Sequence, residues 1–459
     1  MSQQLADDPN TSCVEHGTWT AVPVAPPANL EQFTLRLGDV DAAEDERIAK
    51  SGVMTFHAVG CSGDYSDHTP QMAVAAGMAA QAKDAGSAGR PGSPAVPASF
   101  FYHLGDVVYM DADKRNPARN EQSQLYNDQF YTPYTEYGRS IFAIAGNHDG
   151  KMHATTEHAG EPEHSAIAHF LLNFCAARRE PSPDNRVDGR STLTQPYVYW
   201  RLSTPLAEFI GLYANIANGG MLDDPAQSAQ PQYRWLVAQL SDIRRRSAQD
   251  NPRKAVLVTV HYPPYSGVYN FQERGDPTLA QTAGAENAVP LGALLQRAFA
   301  ESGQRPDAVL SAHTHLYQRL TFRCADGWEI PYLVAGSGGH APVSSIRHQC
   351  DDSLGPARGV PFDAVLPRAE ALASGEQQAP RLLHSRADDD ALGKSGRGSR
   401  PSAGERAQVV AYNDQAFGFL RLTVAGRTLT SEFFTAGQFT PPTLFDSFAL
   451  DMGSHRISV

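Results

Sequence analysis

A polar side chain of a metal-binding type repeatedly follows a short apolar run in this sequence, and the clearest case begins at residue 141. Residues 141–145 are apolar and β-prone, and Gly146 ends the run. Asn147, His148 and Asp149 then follow in consecutive positions. A buried parallel strand is a continuous apolar run, and ligand-binding residues lie just beyond its carboxyl end. Gly-Asn and His-Asp are also common in ordinary turns. The residues at the other strand ends therefore decide whether this segment is a ligand-binding site or an ordinary turn.

Short apolar runs alternate with segments of helical spacing over most of the chain. Strand, helix and strand in succession are typical of a parallel sheet covered by helices on both faces. The pattern therefore predicts an α/β fold. The apolar runs are residues 54–60, 99–105, 141–145, 255–260 and 308–312, and the helical segments are residues 71–83, 232–246 and 291–302.

The segments outside this alternation predict the domain organisation. Polar stretches without sustained periodicity indicate arms, loops or disorder. We expect one core domain with peripheral additions. These are an N-terminal arm at 1–50, a core at 51–350 with loop insertions at 85–98 and 151–190, a low-complexity and partly disordered insertion at 351–408, and a closing β-hairpin and tail of the same domain at 409–459.

Composition excludes several classes of function. The chain has 459 residues, with 38 Lys and Arg against 50 Asp and Glu, so its net charge of −12 argues against binding to nucleic acid or to an anionic membrane. Its five cysteines are widely spaced and include no CxxC pair, which argues against a disulfide scaffold. No run of 18 apolar residues and no signal peptide is visible, so we expect a cytoplasmic protein.

Five of the predicted strands end in groups that bind metals. Carboxylate, phenol, carboxamide and imidazole together suit iron, zinc or manganese better than calcium or copper(I). His57 and His103 lie inside apolar runs, and we expect them to be hydrogen-bonded core residues instead. The candidate groups are Cys61 to Asp64, Asp106 and Tyr109, Asn147 and His148, His261, and His313 with His315.

These motifs give the chain a family resemblance. It resembles the calcineurin-like metallophosphoesterase superfamily, particularly its purple acid phosphatase-like branch, through residues 105–109, 146–149, 260–266 and 313–319. The four motifs occur in the family's order. The resemblance implies a four-layer αββα sandwich, in which two mixed β-sheets are flanked by helices.

The resemblance also implies a role for each motif residue. Asp106 would bridge two metal ions, and His148 would not bind metal but would stabilise the phosphoryl transition state or protonate the leaving oxygen. Tyr109, three residues after Asp106, points to the purple acid branch, where a tyrosinate binds ferric iron. The resemblance implies that Tyr109 and His315 hold the first ion, and that Asn147, His261 and His313 hold the second.

The first motif departs from the family pattern. The family ends its first strand in Gly-Asp and uses that Asp to bind the first ion, whereas this chain has Cys61 at the same position. A Cys61 thiolate would favour zinc or ferrous iron, and Asp64 is the possible substitute three residues later. The glycine usual before the last His-x-His is replaced by Ala312.

The leading functional hypothesis is hydrolysis of a small phosphoester, either a monoester or a diester, by two Fe, Zn or Mn ions with a metal-bound hydroxide as nucleophile. Residues 151–190 and 265–290 are the expected determinants of specificity, and Arg274 and Arg319 are candidates to bind an additional phosphate. Two alternatives stay open. Cys61 suits a degenerate, metal-poor binding or scaffolding protein, and the same site would also suit a metallohydrolase of another ester or anhydride bond.

Overall fold

The computed structural model describes most of the predicted core. The described residues are 22–84, 89–92, 94–109, 122–150, 166–187, 189–213, 231–247, 253–266, 291–340, 343 and 406–459. Within them, fifteen strands form two mixed sheets. Residues 151–165 and 351–405 of the predicted insertions, and the proposed specificity segment after residue 266, therefore lie outside the described residues.

The first sheet has eight strands, with a parallel centre and antiparallel additions. β6, β7, β8 and β10 run parallel to one another, so their carboxyl ends lie at one edge. The strand order is β1 (Thr34–Arg36), β5 (Trp200–Ser203), β6 (Ala207–Leu212), β7 (Ala255–Val260), β8 (Ala308–Ser311), β10 (Glu329–Ala335), β9 (Tyr317–Arg323) and β11 (Arg406–Asn413).

The second sheet has seven strands and the same mixed character. β2, β3 and β4 are parallel, and the predicted hairpin at 418–434 extends the sheet from β2 in antiparallel fashion. The strand order is β15 (Arg456–Ser458), β14 (Thr440–Asp451), β13 (Thr428–Gly437), β12 (Gly418–Ala425), β2 (Val53–Val59), β3 (Phe100–His103) and β4 (Ser140–Ala143).

Helices cover the outer sides of the sheets, so the predicted α/β sandwich of two mixed sheets is confirmed. α3 packs against β12 and β13, and α6 packs against β6 and α7. None of the helices in the described residues is both long enough and apolar enough to cross a membrane. The helices are α1 (Leu37–Val40), α2 (Ala42–Ser51), α3 (Thr69–Lys83), α4 (Gln122–Tyr126), α5 (Ala166–Phe174), α6 (Pro231–Ser247) and α7 (Leu291–Ser302), with a π-helix at Asn127–Tyr131.

Two local predictions were wrong. The arm expected at 1–50 contributes residues 31–50 to the fold, because β1 pairs with β5 and Phe33 stacks on Tyr199 at 5.3 Å. A three-residue strand is too short to produce a detectable period in the sequence. Residues 166–174, expected to be loop, form α5.

Aromatic side chains join the two sheets. Phe209 on β6 lies 4.9 Å from the Phe56 ring and 5.2 Å from the Tyr102 ring, measured between centroids. All three side chains are completely buried. Phe209 therefore connects the sheet of β7 and β8 to the sheet of β2 and β3.

We predict that Phe209→Ala lowers the free energy of unfolding by about 3–5 kcal/mol, because it removes a buried ring and leaves a cavity between the sheets. Denaturant unfolding followed by circular dichroism measures the change. Phe439→Ala is the matched control, since Phe439 is 88% exposed and its loss should change stability by no more than about 0.5 kcal/mol. Equal losses in the two variants would contradict this account of the interface.

Candidate metal centre

The predicted ligands lie where parallel strands of both sheets end. Cys61, Asp106 and His313 follow β2, β3 and β8, and each has a left-handed backbone, with φ of 52°, 55° and 63°. Such a conformation is costly for residues other than glycine and is concentrated at functional sites. These three are among only four non-glycine residues with positive φ in the described part of the chain. The strand ends therefore hold their side chains in an imposed orientation.

Asp106 is the centre of the cluster. Its Oδ2 lies 3.0 Å from the Tyr109 hydroxyl, 3.1 Å from His261 Nε2 and 4.0 Å from Cys61 Sγ. Its Oδ1 instead accepts the His148 backbone N–H at 2.8 Å. Gly146 packs so closely against this carboxylate that a side chain there would collide with it. One carboxylate oxygen is therefore fixed by the backbone, while the other faces the metal-binding groups.

Close to Asp106, an amide oxygen and two imidazoles converge. Asn147 Oδ1 lies 3.0 Å from His261 Nε2 and 2.9 Å from His313 Nδ1. His261 Nδ1 donates to the Leu104 carbonyl at 2.8 Å, which orients the ring and leaves Nε2 toward Asp106. Metal-binding histidines generally hold their second nitrogen in this way. The arrangement thus suits the three residues predicted to bind the second ion.

The groups predicted for the first ion also lie next to Asp106 Oδ2. The Tyr109 hydroxyl is 3.3 Å from His315 Nε2, and Cys61 Sγ accepts the His313 backbone N–H at 3.1 Å. Cys61, Asp106 and His261 offer ligand atoms that all lie within 4.8 Å of one another. A thiolate, a carboxylate and an imidazole are a zinc- or iron-type ligand set. These residues therefore fit a transition-metal ion.

Asp64 does not join this cluster. Its Oδ1 accepts from the Ser66 backbone N–H at 2.7 Å, the Ser66 hydroxyl at 2.8 Å and the Asp67 N–H at 3.1 Å. These bonds close a turn within its own loop. Asp64 Oδ1 thus serves its own loop, whereas Cys61 Sγ lies 4.0 Å from Asp106 Oδ2.

The electrostatics keep three of the predicted ligands in metal-binding forms, whereas the charge of Asp106, against the opposing effect of burial, raises the pKa of His261. Burial opposes ionisation of Asp106, but the nearby His261 and His148 outweigh it and hold the pKa of Asp106 well below its usual range. Burial, assisted by neighbouring histidines, lowers the pKa of His313 and of His315 well below that of free imidazole. These two imidazoles are therefore neutral at physiological pH and keep a nitrogen lone pair for coordination.

His148 differs from the predicted ligands in its exposure. It is half-buried, whereas Cys61, Asp106, Asn147 and the other predicted ligands are buried. Its ring lies over the Tyr109 ring at a centroid distance of 4.3 Å. The side chain predicted to be catalytic is thus the one that an incoming substrate can reach.

Sequence reasoning missed three residues that support the centre. Buried Asp149 accepts the Val107 backbone N–H at 3.0 Å and the Gly146 N–H at 2.8 Å, and so ties the Asp106 loop to the Asn147 loop. Gln129 holds the backbone of Tyr109 through bonds of 2.7 and 2.8 Å. His340, after the Gly-rich turn that ends β10, donates its backbone N–H to the Cys61 carbonyl. Of these three residues, only Asp149 belongs to one of the sequence motifs, at residues 146–149.

Three further predictions concern residues outside the cluster. His57 bonds Tyr137 and Gln81, and His103 bonds Ser62, so both are satisfied core histidines as expected. Arg319 forms a bidentate pair with Asp446 at 2.8 and 3.0 Å and is buried, so it is not placed to bind a substrate phosphate. Arg274 lies outside the described residues.

Comparison with known proteins adds a family match. The model of the family described as calcineurin-like phosphoesterase matches residues 54–317, more than half of the 459 residues. The structure titled "GAP50 the anchor in the inner membrane complex of Plasmodium" is similar with a TM-score of 0.43 at 12% identity, over 87% of this chain and 89% of that chain. The structure titled "Structure of PhoD" is similar with a TM-score of 0.44 at 12% identity, over 88% and 71%. No curated protein matches significantly. The family match includes every predicted ligand.

We predict that Asp149→Ala destabilises the protein by at least about 2 kcal/mol, because buried backbone N–H groups lose their acceptor. Chemical denaturation of the metal-free protein measures this loss without interference from bound ions. Glu46→Ala is the control, since the Glu46 side chain is 65% exposed and its ion-pair partner among the described residues is exposed Lys50. A loss in Asp149→Ala no larger than in the control would show that Asp149 does not join the two loops.

Proposed function

Because its sequence matches the family model over residues 54–317, the chain belongs to the calcineurin-like phosphoesterase family, and we propose that it hydrolyses small phosphoesters at a centre that binds two metal ions. The position of Asp106 carries this proposal. One oxygen of this carboxylate lies between two groups of metal-binding side chains. A carboxylate flanked by two sets of metal-binding side chains suits a pair of metal ions.

We assign the ligands as follows. The first ion would be held by Asp106, Tyr109, His315 and Cys61, and the second by Asp106, Asn147, His261 and His313. Imidazole, phenolate and thiolate favour Fe or Zn, and Mn is a further candidate for the oxygen-rich positions. Tyr109 at 3.0 Å from Asp106 supports placement in the purple acid phosphatase-like branch.

The bound ions and His148 would have different roles in the reaction. When bound, the two ions would lower the pKa of a coordinated water and offset the charge of the phosphoryl oxygens. In the proposed reaction a water oxygen bonds to phosphorus and its proton passes to solvent, the bond between phosphorus and the ester oxygen breaks, and His148 gives that leaving oxygen a proton that it regains from solvent. The backbone of His148 is fixed on Asp106, and its half-exposed imidazole lies over Tyr109, next to the predicted ligands.

The substrate proposed is a small monoester or diester. The net charge of −12 argues against a nucleic acid polymer as substrate.

A metal-poor binding protein is the second candidate, and the observation that favours it is Cys61 at the position of the family's metal-binding carboxylate. The two candidates differ in metal content and turnover.

We expect purified protein to contain about two transition-metal ions per chain and to turn over aryl phosphate monoesters or diesters. His148→Ala should lower kcat on the order of 100- to 10,000-fold without changing metal content, because His148 does not bind the ions. Mass spectrometry of metals and steady-state kinetics on the same samples test both expectations. Asn147→Ala is the matched comparison and should lose metal and turnover together.

Three results would overturn parts of this proposal. Equal loss of metal and turnover in His148→Ala would remove its catalytic role. One ion or fewer in the wild-type protein, without turnover of any aryl phosphate, would favour the binding protein. Turnover of carboxyl esters in preference to phosphoesters would identify a different hydrolase.

We predict that cobalt(II) bound to the wild-type protein shows thiolate-to-metal charge-transfer absorption, because Cys61 is the ligand at the first position. Cys61→Ser should abolish the band, and Cys324→Ser, which changes another buried cysteine, should retain it. Cys61→Asp should raise the affinity for manganese relative to zinc by about tenfold or more. A band that persists in Cys61→Ser would show that Cys61 does not bind the ion.

A further inference from the structure

The loop after β10 reaches the metal centre through its backbone. Gly338 donates to the Gly60 carbonyl at 3.2 Å, and His340 donates to the Cys61 carbonyl at 3.0 Å. Gly339 has φ of 147°, and a side chain there would come within 2.6 Å of the Gln71 backbone. Only glycine permits this approach. The loop is therefore built to place His340 next to Cys61, where the family pattern is altered.

The His340 imidazole lies flat on the phenol of Tyr109. The ring centroids are 3.6 Å apart and the planes differ by 9°, so the rings are in full van der Waals contact. The His148 ring lies 4.3 Å from the same phenol at a tilt of 39°. Two imidazole rings cannot both lie on the same face of the Tyr109 phenol, so His148 covers the face opposite to His340. Tyr109 is thus held between the proposed catalytic histidine and His340.

The orientation of His340 is itself fixed. Its Nδ1 lies 2.9 Å from the Gly63 carbonyl oxygen, and because a carbonyl only accepts, Nδ1 carries the proton. Asp64 Oδ2 lies 3.4 Å from the same nitrogen. The ring edge meets His315 at 75°, with centroids 4.9 Å apart. The imidazole is also buried, with 8% of the residue exposed, so it has little freedom to turn.

We propose that His340 is a positioning residue that acts through Tyr109. Gln129 holds the backbone of Tyr109 at both its N–H and its carbonyl, which leaves the two side-chain torsions to be fixed. The stacked imidazole fixes them, and so keeps the phenol oxygen against Asp106 Oδ2 and His315 Nε2. The inference rests on the proposed function, because its consequence is the geometry of the first ion's ligands.

Three substitutions separate the ring from its hydrogen bond. His340→Phe keeps an aromatic ring and loses the Nδ1 donor, His340→Asn keeps a donor near the Nδ1 position and loses the ring, and His340→Ala loses both. If His340 acts by stacking, His340→Phe should keep Tyr109 in place as an iron ligand and His340→Asn should not. A role limited to bonding Gly63 predicts the opposite order.

The readout is the phenolate-to-iron charge-transfer absorption of the full-length protein loaded with ferric iron. We expect the band in the wild type and in His340→Phe, and a shifted or at least halved band in His340→Asn and His340→Ala. Iron affinity in these two should fall about tenfold or more, as for other residues that orient a metal ligand. His455→Ala is the matched control, since His455 is a buried imidazole stacked on Trp328 at 3.3 Å and should leave the band unchanged.

Each other outcome overturns the inference in a recognisable way. Retention of band and affinity in His340→Ala would show that His340 positions nothing. Loss in His340→Phe with retention in His340→Asn would assign the effect to the hydrogen bond. A wild-type protein that turns over phosphoesters but shows no phenolate band would leave the proposed function standing and remove the role of Tyr109. A wild-type protein with neither metal nor turnover would overturn the proposed function itself.

Discussion

The architecture of the centre depends on keeping one buried carboxylate charged. Asp106 is 1% exposed, and an uncompensated charge at that depth would be costly. Compensation comes from one backbone N–H, one phenol hydroxyl and one imidazole, contributed by His148, Tyr109 and His261. These groups follow three different strands of two sheets. Stacking of the two sheets is therefore a condition for the charge, and the interface around Phe209 maintains that stacking.

The carboxylate of Asp149 lies near that of Asp106, and the two negative charges repel each other. Burial, with a further contribution from the negative charge of Asp106, raises the pKa of Asp149 to about 7. Asp149 nevertheless accepts backbone N–H groups from both neighbouring loops, so it is needed to close the turn. The left-handed backbones of Cys61, Asp106 and His313 add a cost of about 1–2 kcal/mol each. The large aromatic core between the sheets makes it possible to hold such residues together.

The sequence predicted the parts of this site that are local. An apolar strand that ends next to a polar, metal-binding side chain is visible within ten residues, and this pattern identified Asp106, Asn147, His261 and His313 as candidate neighbours. Residues whose role arises only from tertiary contact were not identifiable in this way. Gln129 reaches Tyr109 from a π-helix, and His340 reaches it from the end of β10, and neither belongs to the recognised motifs. The short β1 was missed for a related reason, because three residues carry no period, and only pairing with β5 makes them a strand.

The two departures from the family pattern are adjacent in space, which suggests that they form one adjustment. Gly60 packs so closely on Ala312 that a side chain at position 60 would lie 2.6 Å from the Ala312 methyl group. The residues that follow Gly60 and Ala312 are also in contact, since Cys61 Sγ accepts the His313 backbone N–H at 3.1 Å. The residues after β2 and β8, which lie in different sheets, are thus joined through sulfur. A thiolate that accepts this bond gains stabilisation of its charge, and this favours it as a metal ligand. Cys61 is therefore better explained as a part of the seam between the sheets than as a simple loss of a carboxylate.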